Sequence, residues 1–225
     1  MAQQLDLQEQ EQVDALKAFW AKYGNLIMWT VTLVLAVFAA FTIWTRIQHE
    51  KASQASTLYG ELQHAAEDGD AKRAAQIFGD MKSKAPKATY TQFGGLLAAK
   101  TQADKGDIVN ATANLQWVAD NGDEENAAAA HLRLAGLLAD AKKYDEALKE
   151  LALVKPVSFA PLVADRRGDV ELARGQKDAA TKAYKAAYDA LPETAQYRFL
   201  LDAKLTALGA APAASAASAA SGVAQ

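Results

Sequence analysis

No cysteine occurs in the sequence, which excludes a disulfide framework, a thiolate metal site and a lipid attached through a thiol. Any membrane attachment is then made by the polypeptide itself. Proline is scarce, at 5 residues, and no stretch alternates apolar and polar side chains long enough to read as a strand. Excess charge is missing too. The formal net charge is -3, without the basic stripe that a nucleic-acid binder uses to neutralise phosphates. What is present is a chain of 225 residues, 51% hydrophobic and rich in alanine, the best helix former. The predicted fold class is all-α.

The longest apolar run is Leu26 to Trp44, LIMWTVTLVLAVFAAFTIW, 19 residues without a charge. At a rise of ~1.5 Å per residue it covers about 28 Å, close to a hydrocarbon core of ~30 Å. Its polar side chains, Thr30, Thr32 and Thr42, can bond back to carbonyls of their own helix. Trp29 and Trp44 lie near the two ends, where amphipathic rings favour the headgroup level. A buried core helix would not need 18 or more uncharged residues. A cleaved signal peptide would carry a basic leader, whereas Asp6, Glu9, Glu11 and Asp14 precede this run against two lysines. The expectation is a retained transmembrane helix over 26–44. Lys17 and Lys22 flank one end, Arg46 and Lys51 the other, so the charge balance leaves the orientation open. Within residues 1–25, Val13, Leu16, Trp20 and Tyr23 fall on one face of a short amphipathic helix.

Beyond the span the sequence repeats. Four segments carry the same ending: GDAKRAAQIF around Ala74, GDIVNATANL around Ala111, KYDEALKEL around Ala147 and QKDAATKAY around Ala180. These alanines are spaced by 37, 36 and 33 residues. Four positions after each stands a large side chain: Phe78, Leu115, Leu151 and Tyr184. Met81, Val118, Val154 and Ala187 follow three positions later. Twelve positions before each alanine stand Leu62, Ala99, Ala135 and Gly168. The pattern resembles the tetratricopeptide repeat, a helix–turn–helix unit of about 34 residues in which small residues let paired helices approach. The resemblance makes Ala74, Phe78, Ala99, Ala111, Leu115, Ala135, Ala147, Leu151, Gly168, Ala180 and Tyr184 repeat-packing positions. Gly69-Asp70, Gly106-Asp107 and Gly175-Gln176 supply turns between paired helices. Asn121-Gly122-Asp123 separates the second and third hairpins. A last helix, from about Glu193 to Leu208, caps the array with Tyr197, Leu200, Leu201, Leu205 and Leu208. The remaining residues, 210–225, are small and uncharged and read as a disordered tail.

Catalytic and metal-binding patterns are lacking. His49, His64 and His131 are isolated, and no phosphate loop or nucleophile elbow is present. Asp165, Arg166, Arg167, Asp169 and Glu171 read as a solvated helix face. Asp123, Glu124 and Glu125 read as acids at a helix N-terminus, and Trp117 as packing. The expectation is no enzyme, no cofactor and no metal.

The acidic leader with EQVDALKAFWAKYGN, the single span and the stretch VADRRGDVELARGQKDAA together resemble the YfgM family, ancillary subunits of the bacterial Sec translocon. The resemblance covers residues from about 9 to 208. It implies an inner-membrane protein with residues 1–25 cytoplasmic and a repeat domain over 45–209 in the periplasm. The implied partners are the SecYEG translocon and a membrane-anchored periplasmic chaperone related to prolyl isomerases. The implied role is a non-catalytic scaffold that passes translocated chains to periplasmic chaperones. A regulatory role of the N-terminal segment in envelope stress signalling is sometimes attached to the family. The alternative is an adaptor of the same architecture in another envelope assembly, such as cytochrome maturation or cell-wall synthesis.

Overall fold

The computed structural model describes residues 7–211. All regular elements among them are helical. The alanine–serine tail beyond residue 211 and residues 1–6, Asp6 included, lie outside the described residues. In chain order the helices are α1 (Leu7–Glu67), α2 (Ala71–Lys84), α3 (Thr89–Asp104), α4 (Ile108–Asn121) and α5 (Glu124–Asp140). There follow α6 (Tyr144–Ala152), a 3-10 turn (Val157–Phe159), α7 (Ala160–Ala173), α8 (Lys177–Asp189) and α9 (Tyr197–Ala207). The chain divides into two compact units between Lys51 and Ala52.

In the first unit, the most apolar window of α1 has a mean hydropathy of 2.4, and none of it is buried. Thr30, Thr32 and Thr42 donate to the carbonyls of Leu26, Met28 and Phe38 at 2.8–2.9 Å. The hydroxyls are thereby satisfied without solvent. The sequence sets a separate short helix ahead of the span; in the structure α1 runs through both without a break. Gly24 does not stop it, since one glycine in a long helix costs only about 1 kcal/mol; the Trp20 indole lies over it, about 3.2 Å from where a Cβ would stand. Val13, Leu16, Trp20 and Tyr23 are all exposed.

The second unit is a succession of helical hairpins. The end of α1 packs with α2, then α3 with α4, α5 with α6, and α7 with α8; α9 closes the array against α8. One device makes the turn in each hairpin. Gly69, Gly106 and Gly175 adopt φ of 66°, 80° and 86°, a region that costs glycine nothing. The following residue then donates back to the carbonyl five positions earlier, as Asp70 does to Ala65 at 2.8 Å and Gln176 to Glu171 at 2.8 Å. The α5–α6 turn does the same with Lys142 at φ 61°. Asp70, Asp107 and Asp123 cap the next helices by accepting from the N–H groups of Arg73, Asn110 and Asn126.

In the second unit, two elements differ from the sequence expectation. Helix α9 starts at Tyr197, not near Glu193, because the residues after Pro192 are spent on turns. Helix α6 stops at Ala152, so Val154 lies beyond it and is half-buried, while Met81, Val118 and Ala187 are buried on their helices. Pro156 gives the reason. Its ring would meet the carbonyl of Ala152 if the helix continued.

Candidate functional site

The alanines Ala74, Ala111, Ala147 and Ala180 are all 0% exposed. Phe78, Leu115, Leu151 and Tyr184 are buried beside them, as are Ala99, Ala135, Gly168 and, in the first hairpin, Leu62. At Gly168 the helices approach so closely that any Cβ would overlap the Tyr184 ring. A second close approach was not singled out in the sequence. A Cβ on Gly94 or Gly95 would stand 2.8 Å from Met81 Sδ or Phe78 Cζ. The paired glycines in TQFGGLLAAK, inside an otherwise good helix pattern, were the available signal. Trp117 meets Phe78 edge-on, with ring centroids 5.4 Å apart.

The charged run on α7 is not uniformly solvated. Arg166 and Arg167 are exposed, but Asp165 is only 5% exposed and Asp169 is half-buried. Spaced by four residues, both aspartates share one helix face, which turns toward α8 and α9. Lys204 of α9 donates to Asp165 at 2.7 Å and to Asp169 at 2.6 Å. The Tyr197 hydroxyl donates to Asp165 at 2.6 Å, and the Tyr184 hydroxyl to Asp169 at 2.8 Å. Burial first, then the hydrogen bond to Asp165, pushes Tyr197 up to about 12. Burial and Asp169 raise Tyr184 further. Both tyrosines are therefore neutral donors at ordinary pH, and both carboxylates have a cation. The cluster is a saturated clamp that fastens the capping helix to the last hairpin. The solvated-face reading fails at Asp165 and Asp169 because their partners come from 15 to 39 residues away in sequence.

Two other polar joints hold helices together, one between hairpins and one within a hairpin. Gln92 of α3 accepts from the Asp123 N–H at 3.0 Å and from Asn126 Nδ2 at 2.9 Å, fixing the start of α5. His131 of α5 lies 2.7 Å from Glu150 of α6. Among the described residues, no group of three or more histidines and carboxylates is placed to hold a metal ion.

Among the concavities lined by described residues, two bear on function. One, of about 450 Å³, is lined by the first helices of successive hairpins. Lys100 comes from α3, Arg133, Gly136 and Asp140 from α5, and Arg166 from α7, over a floor that includes Leu115 and Leu137. Arg133 donates to the Leu96 carbonyl at 2.8 Å, which fixes the guanidinium at the groove wall. Burial lowers its pKa from the ordinary value. A Cβ on Gly136 would meet nothing within 4 Å, so the groove is open there. The other, of about 630 Å³, lies between α7, α8 and the loop that precedes α7. Neither holds a nucleophile beside a base, the minimum for acyl or phosphoryl chemistry.

Residues 17–210 match a family described as a tetratricopeptide repeat-like domain. The ancillary SecYEG translocon subunit of Escherichia coli (strain K12) is 34% identical over 181 residues, covering 79% of this chain and 86% of that protein. The protein of the same name from Neisseria gonorrhoeae is 30% identical over 207 residues, covering 90% and 98%. The one from Haemophilus influenzae is 29% identical over 182 residues, covering 80% and 89%.

Proposed function

This chain belongs to the YfgM family of ancillary SecYEG translocon subunits, and on that premise we propose that it is a membrane-anchored, non-catalytic scaffold working beside the translocon. The observation that carries the reading is the groove built from α3, α5 and α7. Aliphatic side chains floor it, and Lys100, Arg133, Asp140 and Arg166 border it as polar contacts, Arg133 held by the Leu96 carbonyl. A row of stacked hairpins presents such a surface to a partner segment, whereas catalysis needs a nucleophile or acid–base pair in it. Helix α1 supplies the anchor through Leu26–Trp44.

In the finer reading, residues 1–25 are cytoplasmic and the hairpins periplasmic, in the inner membrane. Partners are SecYEG and a membrane-anchored periplasmic chaperone, to which translocated chains are passed. In-cell photo-crosslinking tests this. A photoreactive amino acid at Gly136, where the groove is open, should yield adducts with SecYEG subunits and with that chaperone. A reporter fused after Leu208 should be active only outside the cytoplasm. Adducts confined to a different envelope assembly would overturn the translocon reading, and a cytoplasmically active reporter would overturn the topology.

A further inference from the structure

The larger cleft is separate from the groove just described, since no residue of α3 or α5 lines it. Its volume of about 630 Å³ lies within the range of sites that enclose a ligand-sized segment. The walls are mainly aliphatic, with Val154, Val157 and Val163 among them. Val157 is 87% exposed at the mouth, an unusual position for a valine with no partner to cover it. Lys155, Arg167 and Lys182 border the cleft, against one acid, Glu171. All three cations are exposed, and none forms an ion pair with a described residue. This is a local positive excess in a chain whose formal net charge is -3. Two arginines nearby behave differently: Arg166 pairs with Asp169 and Arg174 with Asp145.

The loop adds a main-chain edge. Pro156 is extended, with φ -61° and ψ 128°, and the Lys155 N–H and C=O bond to no described residue. Extended backbone with free donors and acceptors accepts another extended strand of chain.

We propose that this cleft binds an extended segment of a partner protein in which apolar side chains alternate with carboxylates. The segment's main chain runs along residues 154–156, an apolar side chain enters between α7 and α8, and carboxylates meet Lys155, Arg167 and Lys182. Charge-assisted bonds beside an aliphatic wall reward the carboxylates, and a basic segment is repelled by the same three cations. The main-chain edge favours a peptide over an anionic lipid surface, which has no backbone to pair. The inference rests on the scaffold reading and adds a second contact site with its own chemistry.

The test uses the full chain in phosphatidylcholine nanodiscs and a blocked, fluorescein-labelled Asp-Val-Leu-Val-Asp peptide, read by anisotropy. Saturable binding is expected, weakening with salt. The double variant Arg167→Glu/Lys182→Glu should lose at least about tenfold in affinity. Ala160→Trp, at the mouth, should block the cleft to a similar extent. The matching Lys-Val-Leu-Val-Lys peptide should fail on the wild type and bind the charge-reversed variant, a gain that a misfolded protein cannot give. No saturable binding to the wild type, or equal binding to wild type and charge-reversed variant, overturns the proposal. So does binding only to phosphatidylglycerol vesicles, which would make the cations a membrane contact. SecYEG co-purification, followed in parallel, should survive the charge reversal. Its absence in the wild type would fail the translocon reading without touching the cleft.

Discussion

The span and the hairpins are both helical and both rich in apolar side chains, yet they treat those side chains oppositely. In α1, Trp29, Leu33 and Phe38 are 70%, 65% and 67% exposed. In the second unit, Leu62, Phe78, Leu134 and Leu151 are at most 2% exposed. Burial stabilises by roughly 25 cal/mol per Å² of apolar surface removed from water, so the hairpins supply their own non-aqueous environment. The span has no such cover among the described residues, and its length and composition make it a candidate to cross a membrane. Patterning decides which outcome applies. The span is apolar all round, whereas α2, α4, α6 and α8 carry stripes that begin at an alanine and continue to a large side chain one turn later. Small residues matter only where another helix comes close, and that is where the second unit keeps Ala74, Ala111, Ala147 and Ala180.

The sharpest way to break the contrast is to charge the span. Leu33→Arg with Val37→Asp would each cost about 2.5–3.5 kcal/mol at the bilayer centre. The wild-type chain should stay in the membrane pellet after alkaline carbonate extraction, and the double variant should be released. The two residues are four apart on a helix, so an ion pair can offset part of the cost; Leu33→Arg/Val37→Arg removes that route. Retention of the double-arginine variant would sink the transmembrane reading. Helical content of the hairpins, followed by circular dichroism, should be unchanged.

A smaller effect tests the hairpins. Ala180 is 0% exposed in the α7–α8 contact, and Lys182, two residues on, is exposed. Ala180→Leu should overpack that contact and cost roughly 1–3 kcal/mol. Lys182→Leu should stay within about 0.5 kcal/mol. Thermal melting of both variants in the same detergent reads the difference. Equal melting temperatures would remove the packing role given to Ala180.

The architecture was legible because each of its parts is a local pattern. An uncharged run, four recurring alanines and three Gly-containing turns are visible in the residues without any partner. The polar joints were not legible in the same way. Asp165 looked like a member of a solvated run, since its partners, Tyr197 and Lys204, belong to α9. Gln92 gave no sign that its amide would receive two donors from the start of α5. The groove and the cleft are likewise made by several helices at once. Only their contributing side chains, not their convergence, can be read along one strand of sequence.

The smallest effect concerns the one turn that departs from the common chemistry. Gly69, Gly106, Gly175 and Gly209 all take positive φ, and Lys142 takes φ 61° at the equivalent place between α5 and α6. Its backbone bonds are the same: Lys142 N–H to the Ala139 carbonyl at 2.9 Å and Lys143 N–H to the Leu138 carbonyl at 2.8 Å. The difference lies in the Cβ, which crowds the following carbonyl in this region and costs about 1–2 kcal/mol. Glycine would remove that strain but returns about 0.5–1 kcal/mol through its greater freedom in the unfolded chain. Lys142→Gly should therefore be stabilising by at most about 1.5 kcal/mol, a rise of a few degrees in Tm. Gly175→Lys should move the opposite way, since it introduces the same strain at φ 86°. Differential scanning calorimetry on the two variants measures both shifts. A lower Tm for Lys142→Gly would show that the lysine side chain contributes more through its aliphatic stem or charge than its backbone strain removes.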